Sequence, residues 1–137
     1  MKEINYLSSY LEGVLNMSSS ISKSIGYSYV KVDGYLKESF QEEFKKFYHL
    51  KEDVRLIETT NSFEATLLDW FQNEDKIVES IHYWFHLKTK EEPKVFLTDI
   101  KLRDILDEKR MDFYSLEDLF FIECKNYIFV FLLGNNE

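Results

Sequence analysis

The segment that most constrains the fold of this chain is LFFIECKNYIFVFLL (119–133), in which Lys125 and Asn126 separate two apolar runs. Aromatic and β-branched residues favour strands, and asparagine tolerates the positive φ of a tight turn. We therefore predict a C-terminal β-hairpin over about residues 118–133. Residues 127–133 are apolar at both alternating sets of positions, which is typical of a central strand with helices covering at least one face.

Helical periodicity marks the segments 2–17, 35–50 and 61–72, where apolar side chains recur every three or four residues. The first segment places Ile4, Leu7, Leu11, Val14 and Leu15 on one face. The second carries a stripe formed by Leu36, Phe40, Phe44, Phe47 and Tyr48. Such stripes are typical of helices that pack their apolar side against a core, and we expect this use rather than an exposed binding surface.

The third helix is expected to begin at Asn61, whose side chain would cap the backbone while Glu64 returns the hydrogen bond. Ser62 is the alternative cap. A fourth helix is predicted from Thr98 or Asp99 onward. Its inward residues would be Leu102, Ile105 and Leu106.

Short strands are predicted at 27–33, 53–59 and 94–97, where β-favouring residues alternate with polar ones. A turn over Lys90–Pro93 precedes the last of these. The predicted fold class is therefore α+β. We expect a mixed or antiparallel sheet of about four to six short strands that ends in the hairpin, with about three or four helices packed on it. A chain of 137 residues fits a single domain, 1–137.

Residues 80–88, SIHYWFHLK, permit two interpretations. In a strand, Ile81, Tyr83, Phe85 and Leu87 alternate with more polar positions, and the residue types favour β structure. In a helix, either Ile77, Ile81 and Trp84 or Val78, Ile81 and Phe85 would align on one face. We favour the strand.

His82 and His86 are the sharpest candidates for chemistry. On a helix, their spacing would place both imidazoles on one face, with Glu79 as a third metal ligand. On a strand they would be about 13 Å apart, which is too far to share one ion. The favoured strand therefore predicts no metal site, and no sequence motif predicts a cofactor.

Cys124 is the one cysteine, so no internal disulfide can form, and this fits a reducing compartment. We expect it to be a buried structural residue rather than a nucleophile, because the neighbouring Glu123 would raise the pKa of its thiol. The first residues show no signal-peptide pattern, and no apolar run approaches the length of a membrane span. We expect a cytoplasmic protein.

The net charge of −8 disfavours phosphate backbones and anionic membranes, so we expect neither nucleic acid nor membrane as a partner. Acids crowd residues 99–118 and are interleaved with bases. Either this stretch is a solvated helix face, or it is a docking surface for a basic protein. Small size, acidity, aromatic richness and missing catalytic motifs favour a non-enzymatic inhibitor of the immunity or antitoxin kind. Its predicted contacts are Asp104, Asp107, Glu108, Asp112 and Trp84.

Two alternatives stay open. A secretion-type chaperone or adaptor is also typically small and acidic, and it would be a homodimer with an exposed apolar groove. A metal-dependent hydrolase would use His82 and His86. Neither the identity of a partner nor the oligomeric state follows from the sequence.

Overall fold

A computed structural model describes residues 2–16, 29–71, 75–98 and 117–134. These residues form four α-helices and a five-stranded antiparallel sheet, which confirms the predicted α+β class. The elements are α1 (Lys2–Asn16), β1 (Tyr29–Leu36), a 3-10 turn (Lys37–Ser39), α2 (Phe40–Tyr48), β2 (Ile57–Glu58), α3 (Phe63–Trp70), α4 (Asp75–Thr89), β3 (Lys94–Leu97), β4 (Glu117–Glu123) and β5 (Tyr127–Gly134). The strand order is β1-β5-β4-β3-β2.

The predicted C-terminal hairpin is confirmed as β4 and β5, closed by a bond from the Cys124 N–H to the Tyr127 carbonyl over 2.8 Å. None of the three residues between the strands, Cys124 to Asn126, has a positive φ, so the conformational tolerance of Asn126 is not needed. The turn is held from outside instead. The Asn126 carbonyl accepts from the Lys37 N–H over 2.9 Å, and the Glu91 carboxylate accepts from the Lys125 N–H over 2.6 Å.

β5 is a central strand buried on both faces, as its apolar run predicts. Phe129 and Phe131 point into a first core, which α1, α3 and α4 cover. Ile128, Val130 and Leu132 point into a second core on the other face, which α2 and the segment after it cover. Because side chains alternate along a strand, a run that is apolar at every position requires cover on both sides.

The aromatic stripe of α2 is buried in the core at three of its positions. Phe40, Phe44 and Tyr48 are buried, and the first two lie edge-on to Phe121 of β4 at 6.0 and 5.9 Å between ring centroids. Phe47 does not follow the prediction. Its side chain is 56% exposed, and the Lys31 Nζ atom lies 5.0 Å from the centre of its ring.

Three local predictions are corrected or lie outside the described ranges. The predicted strand 53–59 is only two residues long as β2, because Val54 instead packs into the second core from an irregular segment. The cap of α3 is Ser62 rather than Asn61. The Ser62 hydroxyl accepts from the Ala65 N–H over 3.1 Å, which satisfies a first-turn donor. The helix predicted from Thr98 or Asp99 falls on 99–116, outside the described residues.

The prediction of a strand at 80–88 is wrong, because this segment belongs to helix α4. Val78, Ile81 and Phe85 are fully buried in the first core, at the three- and four-residue spacing of one helical face. Tyr83 and Leu87, which a strand would have placed beside them, are 69% and 54% exposed. Intrinsic β preference is overridden here because the helical form lets Val78, Ile81 and Phe85 together cover the apolar face of the sheet.

A proline substitution tests this helix directly. Tyr83 lies in the middle of α4 with an exposed side chain, so Tyr83→Pro acts mainly on the backbone. We expect it to lower the free energy of unfolding by about 3 kcal/mol, through a lost hydrogen bond and a steric clash. Urea denaturation followed by circular dichroism measures this. Tyr83→Ala should change it by less than about 0.5 kcal/mol, and an equally mild effect of proline would contradict the helix.

Candidate functional site

An open groove of about 500 Å³ lies between α1, the C-terminal part of α4 and the β4–β5 turn. Four of the nine residues that line it are aromatic, and its charged groups are Lys88 and Glu91. We call it the aromatic groove, after the four rings that line it. These are Tyr6, Tyr10, Trp84 and Tyr127. A concave site with apolar walls and few polar groups is the usual form of a binding site.

A stacked ring pair forms the centre of the aromatic groove. The Tyr10 and Trp84 rings lie 3.8 Å apart between centroids and are inclined by 22°, which joins α1 to α4. Both side chains are half-buried and pack against the first core. Tyr6 lies one helical turn before Tyr10 and is 76% exposed, so its ring is free to contact another molecule. Trp84, which the sequence predicts as a partner contact, therefore lies in this groove but on a helix.

The end of α4 brings a carboxylate to the groove. The helix stops at Lys90, whose φ of 57° is in the left-handed region, and its N–H donates to the His86 carbonyl over 2.7 Å. The chain then turns so that the Glu91 carboxylate accepts from the Lys125 N–H at the hairpin tip. This bond joins the helix end to the β4–β5 turn and fixes the position of the acidic group.

An exposed apolar side chain of α4 adjoins the groove. Leu87 is 54% exposed and lies one helical turn after Trp84, whereas Tyr83 lies on the surface that carries both histidines of α4. Single exposed apolar residues are ordinary, whereas several beside a groove, here Tyr6 and Leu87, mark interaction surfaces. The aromatic groove and its surroundings therefore form the described surface best suited to hold another molecule.

The two histidines lie on the opposite side of α4 from Trp84. His82 donates from Nε2 to the Glu92 carboxylate over 3.0 Å, and its Nδ1 atom lies 3.6 Å from the Glu64 carboxylate. His86 donates from Nδ1 to the Glu91 carbonyl over 3.2 Å. These contacts tie α4 to α3 and to the turn before β3. The imidazoles thus share one helical face, as the alternative helix interpretation expects, but each contacts different groups within the chain.

The described residues show no cluster of three or more His, Cys, Asp or Glu side chains arranged to hold a metal ion. Glu79, the third ligand of the helical interpretation, lines the same open surface as both histidines but joins no such cluster. The hydrolase hypothesis based on His82 and His86 therefore gains no support from this surface.

Cys124 is buried in the first core with 3% of its surface exposed. Burial, as the largest cause, and the Glu91 and Glu123 carboxylates together raise the pKa of its thiol to about 12, although Lys37 lowers it. The thiolate is the reactive form of cysteine. This environment suits the structural role that the sequence predicts rather than a nucleophile.

The predicted acidic contacts Asp104, Asp107, Glu108 and Asp112 fall outside the described residues, so only Trp84 of the predicted set has a place in the structure. Three rings of the aromatic groove were not predicted. Tyr6 and Tyr10 do carry a local signal, because they lie four residues apart beside the apolar face of α1. Tyr127 carries none, since the other three rings of the groove are distant from it in sequence.

Within the described ranges, none of the helices combines the length and the apolar character required to cross a membrane. Comparison with known proteins adds no further constraint on function. The chain matches no protein-family model, and no curated protein and no solved structure is significantly similar to it.

Proposed function

We propose that this chain is a non-enzymatic protein-binding domain of the immunity or antitoxin kind, which holds a basic partner protein through the aromatic groove. The observation that carries the proposal is the Tyr10–Trp84 ring pair with the exposed Tyr6 beside it. Tyrosine and tryptophan are enriched among the few residues that dominate binding energy at protein interfaces.

The groove has the physical properties of a protein-docking site. The Tyr10–Trp84 pair is already packed in place, so binding costs little side-chain entropy there. Tyr6 adds a ring with large contact area and few rotatable bonds. A volume of about 500 Å³ suits one or two large side chains of a partner.

Charge favours a basic partner. The net charge of −8 attracts a positively charged protein over a distance and repels nucleic acid and anionic lipid. Such attraction acts on the rate of encounter, while the aromatic contacts act on the lifetime of the complex. We place the protein in the cytoplasm, because its one cysteine is a free thiol and needs no oxidising environment.

A secretion-type chaperone or adaptor is the second candidate, because the exposed apolar surface next to Trp84 also suits that role. Such a protein would be a homodimer. Light scattering on the purified chain separates the two candidates, since a strict monomer supports the inhibitor and contradicts the chaperone.

The test of the proposed function begins with a pull-down from the protein's own cells, at low salt and at about 0.5 M salt. The bound partner is then titrated by calorimetry. We expect Tyr6→Ala to weaken the complex by about 2 kcal/mol, or roughly thirtyfold in Kd, without loss of stability. Phe47→Ala is the matched control, because Phe47 is an exposed aromatic residue on the opposite face of the sheet and should change Kd less than about twofold.

Two results would contradict the proposal. One is the absence of any stoichiometric partner at low salt. The other is a partner that binds Tyr6→Ala as tightly as the wild type, because the aromatic groove would then not be its docking site.

A further inference from the structure

Among the strands of the described residues, β1 lies at one edge of the sheet and pairs with β5. The Val32 N–H donates to the Glu12 carboxylate of α1 over 2.8 Å, so it points away from β5. The Lys37 N–H, just after β1, points toward the hairpin, since it donates to the Asn126 carbonyl. Backbone groups along an antiparallel strand alternate in direction. The backbone groups of Val32 and Gly34 therefore share an orientation, toward the outer edge of the sheet.

An edge strand can pair with a strand of another molecule unless something covers it. α1 lies along this edge, with Leu7 and Leu11 buried in the first core beside Val32. Glu12 follows Leu11 and places its carboxylate on the outward N–H of Val32. This carboxylate occupies the position that the carbonyl oxygen of an added strand would need.

The sequence of β1 is complementary to itself across a twofold axis. Antiparallel pairing of two copies centred on Val32 would let the two Val32 residues exchange both backbone hydrogen bonds. In that register, Lys31 of each copy lies opposite Asp33 of the other, so two pairs of opposite charges form. Within one copy the same two side chains form a long ion pair of 3.7 Å. A twofold interface repeats every favourable contact.

We propose that the Glu12 carboxylate blocks the outer edge of β1 through its hydrogen bond to Val32, and that a chain without this carboxylate pairs through β1 with a second copy. The interaction surface is the outer edge of β1, and its partner is the same strand of another molecule. The wild-type chain stays monomeric because the Glu12 carboxylate must be displaced from the Val32 N–H before the second strand can bind.

The experiment measures mass by light scattering over a wide range of protein concentration. We expect Glu12→Ala to form a dimer at concentrations where the wild type is a monomer. Glu12→Gln is the matched control. Its amide oxygen still accepts from the Val32 N–H, so this variant should remain monomeric.

Charge substitutions test the register in the Glu12→Ala background. Adding Asp33→Lys places lysines opposite each other twice, and we expect dimer affinity to fall by at least about tenfold. The further change Lys31→Asp reverses both charges of each pair and should restore the dimer. A dimer that ignores these substitutions forms through another surface, and this result would overturn the proposal.

Amide hydrogen exchange on the wild type provides a test that needs no variant to fold. We expect the Val32 amide to exchange as slowly as that of Asp33, which bonds to β5. Rapid exchange at Val32 would show that the Glu12 carboxylate does not hold this N–H in a lasting hydrogen bond, and this would contradict the proposal. The proposal is equally overturned if folded Glu12→Ala is monomeric throughout, or if the wild type is already a dimer that Asp33→Lys dissociates.

Discussion

Replacing Phe131 by alanine is expected to lower the free energy of unfolding by about 3–5 kcal/mol. The Phe131 ring is fully buried on β5, stacks on Phe120 of β4 at 4.5 Å between centroids and lies 6.0 Å from Phe63 of α3. Its removal leaves a cavity where the central strand, its neighbour and a covering helix meet. Urea denaturation followed by tryptophan fluorescence measures the effect, because Trp70 contacts the same Phe120 ring.

The control for this prediction is Phe47→Ala. Phe47 is 56% exposed on α2, so the same chemical change should cost less than about 1 kcal/mol. Small domains are stable by only about 5–15 kcal/mol, so the Phe131 variant could be too unstable for a full curve. In that case Phe131→Leu, which retains much of the volume, should cost about 1 kcal/mol. Equal costs for Phe131→Ala and Phe47→Ala would contradict the two-faced burial of β5.

The second large effect concerns the reactivity of Cys124. Its environment raises the pKa of the thiol from an ordinary 9.0 to about 12, so the thiolate fraction at about pH 8 falls by about a thousandfold. We expect alkylation by iodoacetamide, followed by mass spectrometry, to be slower by at least about that factor than in the urea-unfolded chain. Labelling of the folded protein at the rate of the unfolded chain would contradict the buried position of the thiol.

The same shift predicts a dependence of stability on alkaline pH. The unfolded chain ionises its thiol near 9.0, whereas the folded chain holds the proton until about pH 12. The stabilisation is therefore complete below the ordinary pKa and is lost as the pH rises toward 12. Cys124→Ala removes this titration, so the alkaline decline in unfolding free energy should be shallower in the variant. An identical decline in both proteins would contradict the raised pKa.

Parts of this fold can be predicted from local signals in the sequence. The hairpin, the central position of β5 and the helices α1 and α2 follow from the spacing of apolar residues. This spacing creates one apolar face, or two in β5, that must be buried. The burial of Cys124 follows equally from its position beside an apolar run. In each case, the residues whose pattern predicts the element are the residues that form that element.

The sequence was ambiguous where one segment satisfied two periods. Residues 80–88 fit a strand by alternation and a helix by the spacing of Ile81 and Phe85, and β preference favoured the wrong one. The decision depends on distant strands, because the helical form places Val78, Ile81 and Phe85 together in the core formed with Phe129 and Phe131. The short β2 has the same origin, since Val54 gains more by packing into the second core than by extending an edge strand.

The candidate site was decided by tertiary structure almost entirely. Tyr10 and Trp84 are 74 positions apart in the sequence and lie in contact because α1 and α4 cover the same sheet face. Glu91 joins them because the turn after α4 bonds to the hairpin tip. Local periodicity specifies which side of an element is buried, but it carries no information about which other element packs beside it. That choice depends on the total free energy of the packed chain.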